Sequence, residues 1–198
     1  MEPKIEMQKS AQVEHELLDV IHKRRSKRAY LNKPIEQNTI DSLFEAARWA
    51  PSSNNEQPWV YIYATKDQTV LWNKLFETLN ESNKIWAENA PLLVLSVIRK
   101  NFLRNDQPNH SAKYDLGAAN AFLSLQATHV GLNVHQLGGF NRQKAIENMV
   151  IPETHEPVIM MAIGYPGIAE SLPENLKLRE QTPSERYTKN SFVMNKTF

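Results

Sequence analysis

Apolar residues recur along this chain at two spacings, one helical and one strand-like. Leu17, Leu18 and Ile21 form a short helical stripe that runs into a block of cations. Pro34 interrupts the chain, and Ile40, Leu43, Phe44, Ala47 and Ala50 then repeat at helical spacing until Pro51 stops them. Trp59-Val60-Tyr61-Ile62-Tyr63-Ala64 is aromatic and β-branched, which predicts a strand. Asp67 is placed to cap a helix bearing Val70, Leu71, Leu75 and Leu79, and Ser82 to cap a shorter one ending before Pro91. The run from Leu92 to Ile98 is almost continuously apolar, the pattern of a strand covered on both faces.

Residues 112–130 predict a long helix that is apolar nearly all round, with Tyr114, Leu116, Ala118, Ala119, Ala121, Phe122, Leu123 and Leu125. Such a helix is expected to be buried on most sides, in its own core or against a second subunit. Gly131 supplies its stop. A short strand then leads to Gly138-Gly139-Phe140, followed by a helix over 142–149 and a buried strand from Val158 to Gly164.

The remaining stretches are less regular. Residues 1–13 are polar, with no apolar segment of the kind a signal peptide carries, and predict a loose N-terminus. Residues 99–110 form a charged, Asn-rich loop suited to covering a site. Residues 165–198 contain prolines at 166, 173 and 183 and little periodicity. So long a structureless tail is odd inside a compact domain, and it is expected to be a C-terminal arm lying over a partner subunit. No repeat or linker divides the chain, so residues 1–198 read as a single α/β domain.

Composition narrows the function. The 198 residues suffice for one substantial core, and 41% hydrophobic with 23% charged residues is ordinary for a soluble globular protein. Lys and Arg total 23 against 22 Asp and Glu, a balance that argues against nucleic acid as the main partner. The absence of cysteine removes disulfides, thiolate metal sites and cysteine nucleophiles. No apolar run approaches the roughly 20 residues needed to span a bilayer, and a cytoplasmic location is expected.

The sequence has no G-x-G-x-x-G, no Walker-type loop and no G-x-S-x-G elbow. Its histidines, at 15, 22, 110, 129, 135 and 155, lack the i, i+4 pairing of a helical metal site and read as surface or packing residues; no metal is expected. The acidic residues are scattered, with no pair suited to general acid–base work. A chain without its own catalytic constellation can still be an enzyme if a cofactor carries the chemistry.

Two polar stretches stand out. Lys23-Arg24-Arg25-Ser26-Lys27-Arg28 is either a solvated helix end, with cations against the negative pole of the helix dipole, or a site for an anion such as phosphate. Pro51-Ser52-Ser53-Asn54-Asn55 has turn composition, and Gly138-Gly139 fits either a tight turn or a backbone that a flat ligand approaches closely.

Taken in order, Arg24-Arg25-Ser26-x-Arg28, Ala50-Pro51-Ser52-Ser53-x-Asn55-x-Gln57-Pro58-Trp59, Asn83-x-x-Trp86-x-x-x-Ala90-Pro91, Gly131-Leu132, Gly138-Gly139-Phe140 and Gly164-Tyr165-Pro166 resemble the signatures of the FMN-dependent nitroreductase family over residues 15–190. The resemblance implies an α+β fold, a nitroreductase-like three-layer α/β/α sandwich with a central, mostly antiparallel sheet. It also implies an intertwined homodimer with tightly bound FMN at the subunit interface.

By position, Arg24, Arg25, Ser26 and Arg186 would hold the phosphate and ribityl end. Arg28 would lie near the pyrimidine edge, Asn83 would bond the polar edge of the ring, and Leu137, Gly138 and Gly139 would face N5. Pro51, Ser52, Ser53, Asn55 and Gln57 would come from the partner chain. The implied activity is ping-pong hydride transfer through flavin N5, from NADH or NADPH as transient co-substrate to a nitroaromatic, quinone or similar small acceptor. A same-fold enzyme with another acceptor (a semialdehyde or enal reductase, or a dehalogenase) and a non-enzymatic FMN-binding protein are the alternatives. Two positions depart from the family pattern: Ser184 and Trp86 stand where some relatives carry basic residues.

Overall fold

A computed structural model describes residues 13, 15–195 and 197, so the expected loose terminus over 1–13 lies almost wholly outside the described residues. Four strands, β1 (Trp59–Thr65), β2 (Leu92–Arg99), β3 (Asn133–Leu137) and β4 (His155–Gly164), form one sheet in the order β1-β2-β4-β3, with every neighbouring pair antiparallel. Seven α-helices accompany it: α1 (Asp19–Lys23), α2 (Gln37–Arg48), α3 (Thr69–Phe76), α4 (Glu81–Ala87), α5 (Ala112–His129), α6 (Arg142–Met149) and α7 (Glu174–Gln181).

Strand alternation sorts the core into two halves. Leu92 and Val94 of β2, Val134 of β3 and Met161 and Ile163 of β4 face Ile40, Leu43 and Ala47 of α2 and Ala119, Leu123 and Ala127 of α5. Leu93, Leu95, Leu137, Met160 and Ala162 face the other way, onto Trp72 and Leu75 of α3, Trp86 of α4, Ala145 of α6 and Leu176 of α7. The sheet is thus the middle of three layers, and β2 is buried along its length up to Arg99, as its unbroken apolar run requires.

Three expectations need correction. The tail from residue 165 is not structureless throughout. Residues 165–181 fold onto their own chain, through Leu31 N–H donating to the Tyr165 carbonyl, Gly167 N–H donating to Ala29, and the buried Leu172, Leu176 and Glu180. α7 escaped notice because it turns only two side chains inward, which leaves no apolar period. Helices α3 and α4 start after Gln68 and Asn80, not after Asp67 and Ser82. α3 stops at Phe76 because Leu79 leaves the helix to pair with Phe140, and Asn80 N–H donates to the Gly139 carbonyl.

Third, α5 is not buried all round. Tyr114 and Phe122 face solvent, while Asp115, Asn120 and Ser124 are buried. Asn120 Oδ1 accepts from Tyr61 Oη (2.9 Å) and Ser96 Oγ (3.3 Å), and Gln136 Nε2 donates to Ser124 Oγ (3.2 Å). Polar residues on three strands therefore call for polar partners on the helix that covers them. Among the described residues no helix is long and apolar enough to cross a membrane, and no three potential metal ligands converge.

Candidate active site

The basic segment after α1 runs beside the outer strand β3 and, with α7 and the residues following it, encloses a cleft of about 530 Å³. Arg24, Arg25, Ser26, Lys27 and Arg28 line one side; His135, Arg179, Glu180, Ser184 and Arg186 are among the residues lining the rest. Arg24 Nη1 donates to Ser26 Oγ (3.2 Å), and Arg25 Nη1 donates to the carbonyls of His22 and Arg24. Neither arginine, nor Arg186, is ion-paired with a described residue. Burial, then the neighbouring Arg186 and Arg25, hold the Arg24 guanidinium below its ordinary pKa, and burial and Arg186 do the same to Arg25. Like charges kept together at a desolvation cost are an arrangement suited to an anion.

Glu180, only 4% exposed, is the counterweight. Its Oε1 accepts from the backbone N–H of Arg28 (2.9 Å) and Ala29 (3.2 Å), and Oε2 lies 3.9 Å from Arg28 Nη1. Arg28, which the resemblance would set near the pyrimidine edge, thus shares its charge with a buried carboxylate. Behind the segment, Tyr30 Oη donates to the Ala162 carbonyl (2.9 Å), and Trp86 lies between Tyr30 and His135, with ring centroids 6.3 and 4.6 Å away. Burial drives the Tyr30 pKa upward. Burial and then Arg28 push His135 down to about 4, so its imidazole is neutral at physiological pH.

A second feature lies where β3 ends. Asn83 Nδ2 donates to the Gly139 carbonyl (2.9 Å), which also accepts from Asn80 N–H (3.0 Å). A Cβ at Gly139 would stand 2.5 Å from Asn83 Nδ2, so glycine is required for the approach. Leu137, grouped with these by sequence, turns its side chain into the core and leaves only its backbone for a ligand. Gly164 serves packing: a Cβ there would meet Pro91 at 2.6 Å and Tyr30 at 2.8 Å, which ties the Ala90-Pro91 and Gly164-Tyr165-Pro166 landmarks together physically.

The turn over 51–57 is elsewhere. Asn54, Asn55 and Gln57 all have positive φ, a conformation that asparagine tolerates and glutamine rarely adopts. It is held by Ser52 Oγ, which accepts from Gln57 N–H (3.0 Å), by Asp115 Oδ2, which accepts from Ser53 N–H (3.1 Å), and by a Glu56–Arg99 ion pair at 3.0 Å. Gln57 Nε2 reaches back to Asn55. Over-determined strain of this sort is characteristic of functional turns.

This turn precedes β1, at one edge of the sheet, whereas the arginine cleft abuts β3, at the other. Three strand spacings, about 14 Å, separate those edges. One chain therefore unites Arg24, Arg25, Ser26, Arg28 and Arg186, sets Asn83, Gly138 and Gly139 at the end of the strand lining that cleft, and leaves Pro51, Ser52, Ser53, Asn55 and Gln57 apart. Glu180 went unnoticed in the sequence, and His135 was read there only as a surface or packing residue. Glu180 sits in an aperiodic helix, while the two-residue period of β3, which puts His135 on the face of Leu137, was the available signal for the other. Of the two departures, Ser184 lines the cleft and Trp86 is buried beneath it.

Comparison with known proteins places the chain in a family. Residues 21–165 match the model of the nitroreductase family. A protein of Archaeoglobus fulgidus described as "Putative NADH dehydrogenase/NAD(P)H nitroreductase" is 29% identical over 155 residues, 76% of this chain and 86% of that one. A crystal structure of an oxidoreductase containing FMN superposes with a TM-score of 0.90 at 31% identity, covering 97% of this chain and 98% of the other. A nitroreductase family protein from Clostridium difficile 630 shares the fold, with a TM-score of 0.71 at 24% identity, over 93% of this chain and 100% of its own. With most of its length matched and its fold shared, the chain belongs to the nitroreductase family.

Proposed function

We propose that this protein is an FMN-dependent NAD(P)H oxidoreductase that reduces small nitroaromatic or quinone-like acceptors by a ping-pong cycle, working as a homodimer with its flavin sites between subunits. The observation that carries the reading is the cluster of Arg24, Arg25 and Arg186, none ion-paired with a described residue, in a cleft that β3 and α7 help to line. The names of the relatives supply its terms: FMN from the oxidoreductase structure and NAD(P)H from the archaeal protein.

The residues present fit FMN. Three guanidiniums without carboxylate partners among the described residues suit a phosphate, and planar two-pronged hydrogen bonding favours arginine over lysine there. Ser26 adds a hydroxyl already oriented by Arg24. Asn83, pinned through Nδ2 to Gly139, is fixed in orientation with its Oδ1 as an acceptor, and the absent side chain at Gly139 lets a flat ring approach the backbone. Arg28, tempered by Glu180, contributes positive potential without being a bare charge. Bound FMN would supply the hydride exchange itself, accepting from the nicotinamide and returning to the acceptor in the vacated place.

The dimer is proposed because the strained turn at 51–57 has no part in its own chain's cleft, and because apolar surface is left bare. Tyr114 and Phe122 are exposed on α5, and Tyr187, Phe192, Val193 and Met194 are exposed beyond α7. That last stretch remains the candidate arm over a partner. The test is purified protein assayed for a flavin spectrum at one FMN per chain, then for NADH or NADPH oxidation with menadione and with a nitroaromatic. Failure to take up FMN overturns the reading; FMN uptake without nicotinamide oxidation reduces the protein to a flavin carrier.

A further inference from the structure

The cleft is lined mainly by donors, and His135 is the exception. Its Nδ1 lies 3.1 Å from the Lys27 carbonyl. A carbonyl oxygen only accepts, so Nδ1 carries the proton and Nε2 carries the lone pair. No hydrogen bond from a described residue reaches Nε2. Of the other side-chain acceptors, Ser26 Oγ takes a bond from Arg24 and both Glu180 oxygens serve the backbone at Arg28, while the Thr182 and Ser184 hydroxyls that also line the cleft can donate as well as accept. The imidazole is also held in place, with Trp86 against it at 4.6 Å. Burial and the field of Arg28 keep it from taking a second proton.

Its position along the site gives this lone pair a meaning. Arg24, Arg25 and Arg186 mark the phosphate end, and Gly139 with Asn83 marks the ring end. His135 stands on β3 in the cleft that the arginines line, four residues before Gly139 and so roughly 13 Å from it along the strand direction. In FMN the stretch between phosphate and ring is a hydroxylated chain, whose O–H groups are donors.

Resting on the FMN reading, we propose that His135 is a positioning residue whose Nε2 accepts a hydrogen bond from a ribityl hydroxyl, selecting a phosphorylated sugar-alcohol over a bare phosphate or a chainless flavin. The neutral Nδ1–H tautomer, fixed by Lys27, is what makes that acceptor available.

The test uses the FMN-loaded protein and two measurements. His135→Asn keeps a donor near the Nδ1 position for Lys27 but removes the acceptor at Nε2. Its FMN dissociation constant, from dilution of the loaded protein, is expected to rise about three- to tenfold, while lumiflavin, which lacks the chain, binds as to wild type. Long-range proton–nitrogen spectra of the loaded wild type are expected to show Nδ1 protonated and Nε2 shifted by an accepted hydrogen bond. An unchanged FMN constant, an equal loss for lumiflavin, or an unperturbed Nε2 overturns the assignment. A wild-type protein that takes up no FMN overturns the parent reading as well, and that is seen before any variant is made.

Discussion

Glu180 Oε1 accepts a hydrogen bond from the backbone N–H of Arg28 at 2.9 Å, so a buried carboxylate on α7 fixes the course of the basic segment through its main chain. Glu180→Ala leaves the Arg28 and Ala29 N–H groups without their acceptor and removes the counterion of Arg28. The expected loss is about 3 kcal/mol of unfolding free energy, read by urea denaturation. Glu180→Gln retains one acceptor oxygen and is expected to cost less than half of that. It also deletes a negative charge from the cleft, so phosphate and FMN should bind more tightly to it even as stability falls. Affinity and stability falling together would show that Glu180 shapes the site and does not set its potential.

Arg24 predicts the opposite pairing. Its side chain bears desolvation and repulsion from Arg186 and Arg25, with one hydrogen bond to Ser26 in return. Arg24→Ala is therefore expected to leave the flavin-free protein as stable as wild type or slightly more so. FMN binding should weaken by about 1.5–3 kcal/mol, the scale of a charge-assisted hydrogen bond. Added salt should narrow the difference, because exposed charge attraction is screened. Equal FMN affinity in the two proteins would move the phosphate site elsewhere.

Gly139→Ala tests the corner at the end of β3. The new methyl, 2.5 Å from Asn83 Nδ2, must displace that amide and break its bond to the Gly139 carbonyl. Stability should fall by about 1–2 kcal/mol, the usual cost of overpacking, and FMN affinity with it. In an Asn83→Ala background the obstacle is gone, so the same substitution should cost much less. This non-additivity, measured by a double-mutant cycle, separates a specific clash from a general dislike of alanine at the turn.

How far the sequence anticipated all this depends on how local each signal was. The apolar run of β2 and the stripe of α2 announced themselves because burial there follows a simple period. α7 did not, since Leu176 and Glu180 are its only buried residues and a buried glutamate looks like any surface one until its partners, 151 and 152 residues away in sequence, are known. Arg24, Arg25 and Arg186 were legible as a pattern, but their crowding without carboxylates is a property of the folded chain. The polar underside of α5 was misread for a related reason: Asn120 and Ser124 serve Tyr61, Ser96 and Gln136 from separate strands, and no window of sequence holds those partners together.

Acid should reveal His135. Its folded pKa of about 4 lies below the ordinary histidine value of about 6.5, so the unfolded chain binds more protons between those limits. Stability is then complete above pH 6.5, falls as the pH drops through the window, and levels off below pH 4. The contribution is roughly 3 kcal/mol. The groups facing the ring are Arg28, Arg24, the Ser26 and Lys27 carbonyls, Trp86 and Glu180. His155 is shifted downward by burial, then by Arg99 and Lys100, and adds to the same slope more weakly because it is only partly buried. Denaturation of His135→Phe should be distinctly flatter from pH 6.5 to 4, and a slope unchanged from wild type would assign the titration to other groups.

The separation of the 51–57 turn from the arginine cleft yields the sharpest test of a shared site. Suppose each flavin site takes its cleft from one subunit and its turn from the other. A chain carrying Arg24→Ala and a chain carrying Asn55→Ala would each form dimers with two damaged sites. Mixed dimers differ: one site collects both defects, and the other combines an intact cleft with an intact turn. With random pairing of equal amounts, half of the dimers are mixed and half of their sites are whole, so about a quarter of full FMN occupancy and activity should return. If instead each site belonged to one chain, every site in the mixture would still carry a defect, and no recovery would follow. Co-expression with two different affinity tags, tandem purification of the mixed species and flavin counting measures this directly, and the purified mixed dimer should carry one tightly held FMN per two chains.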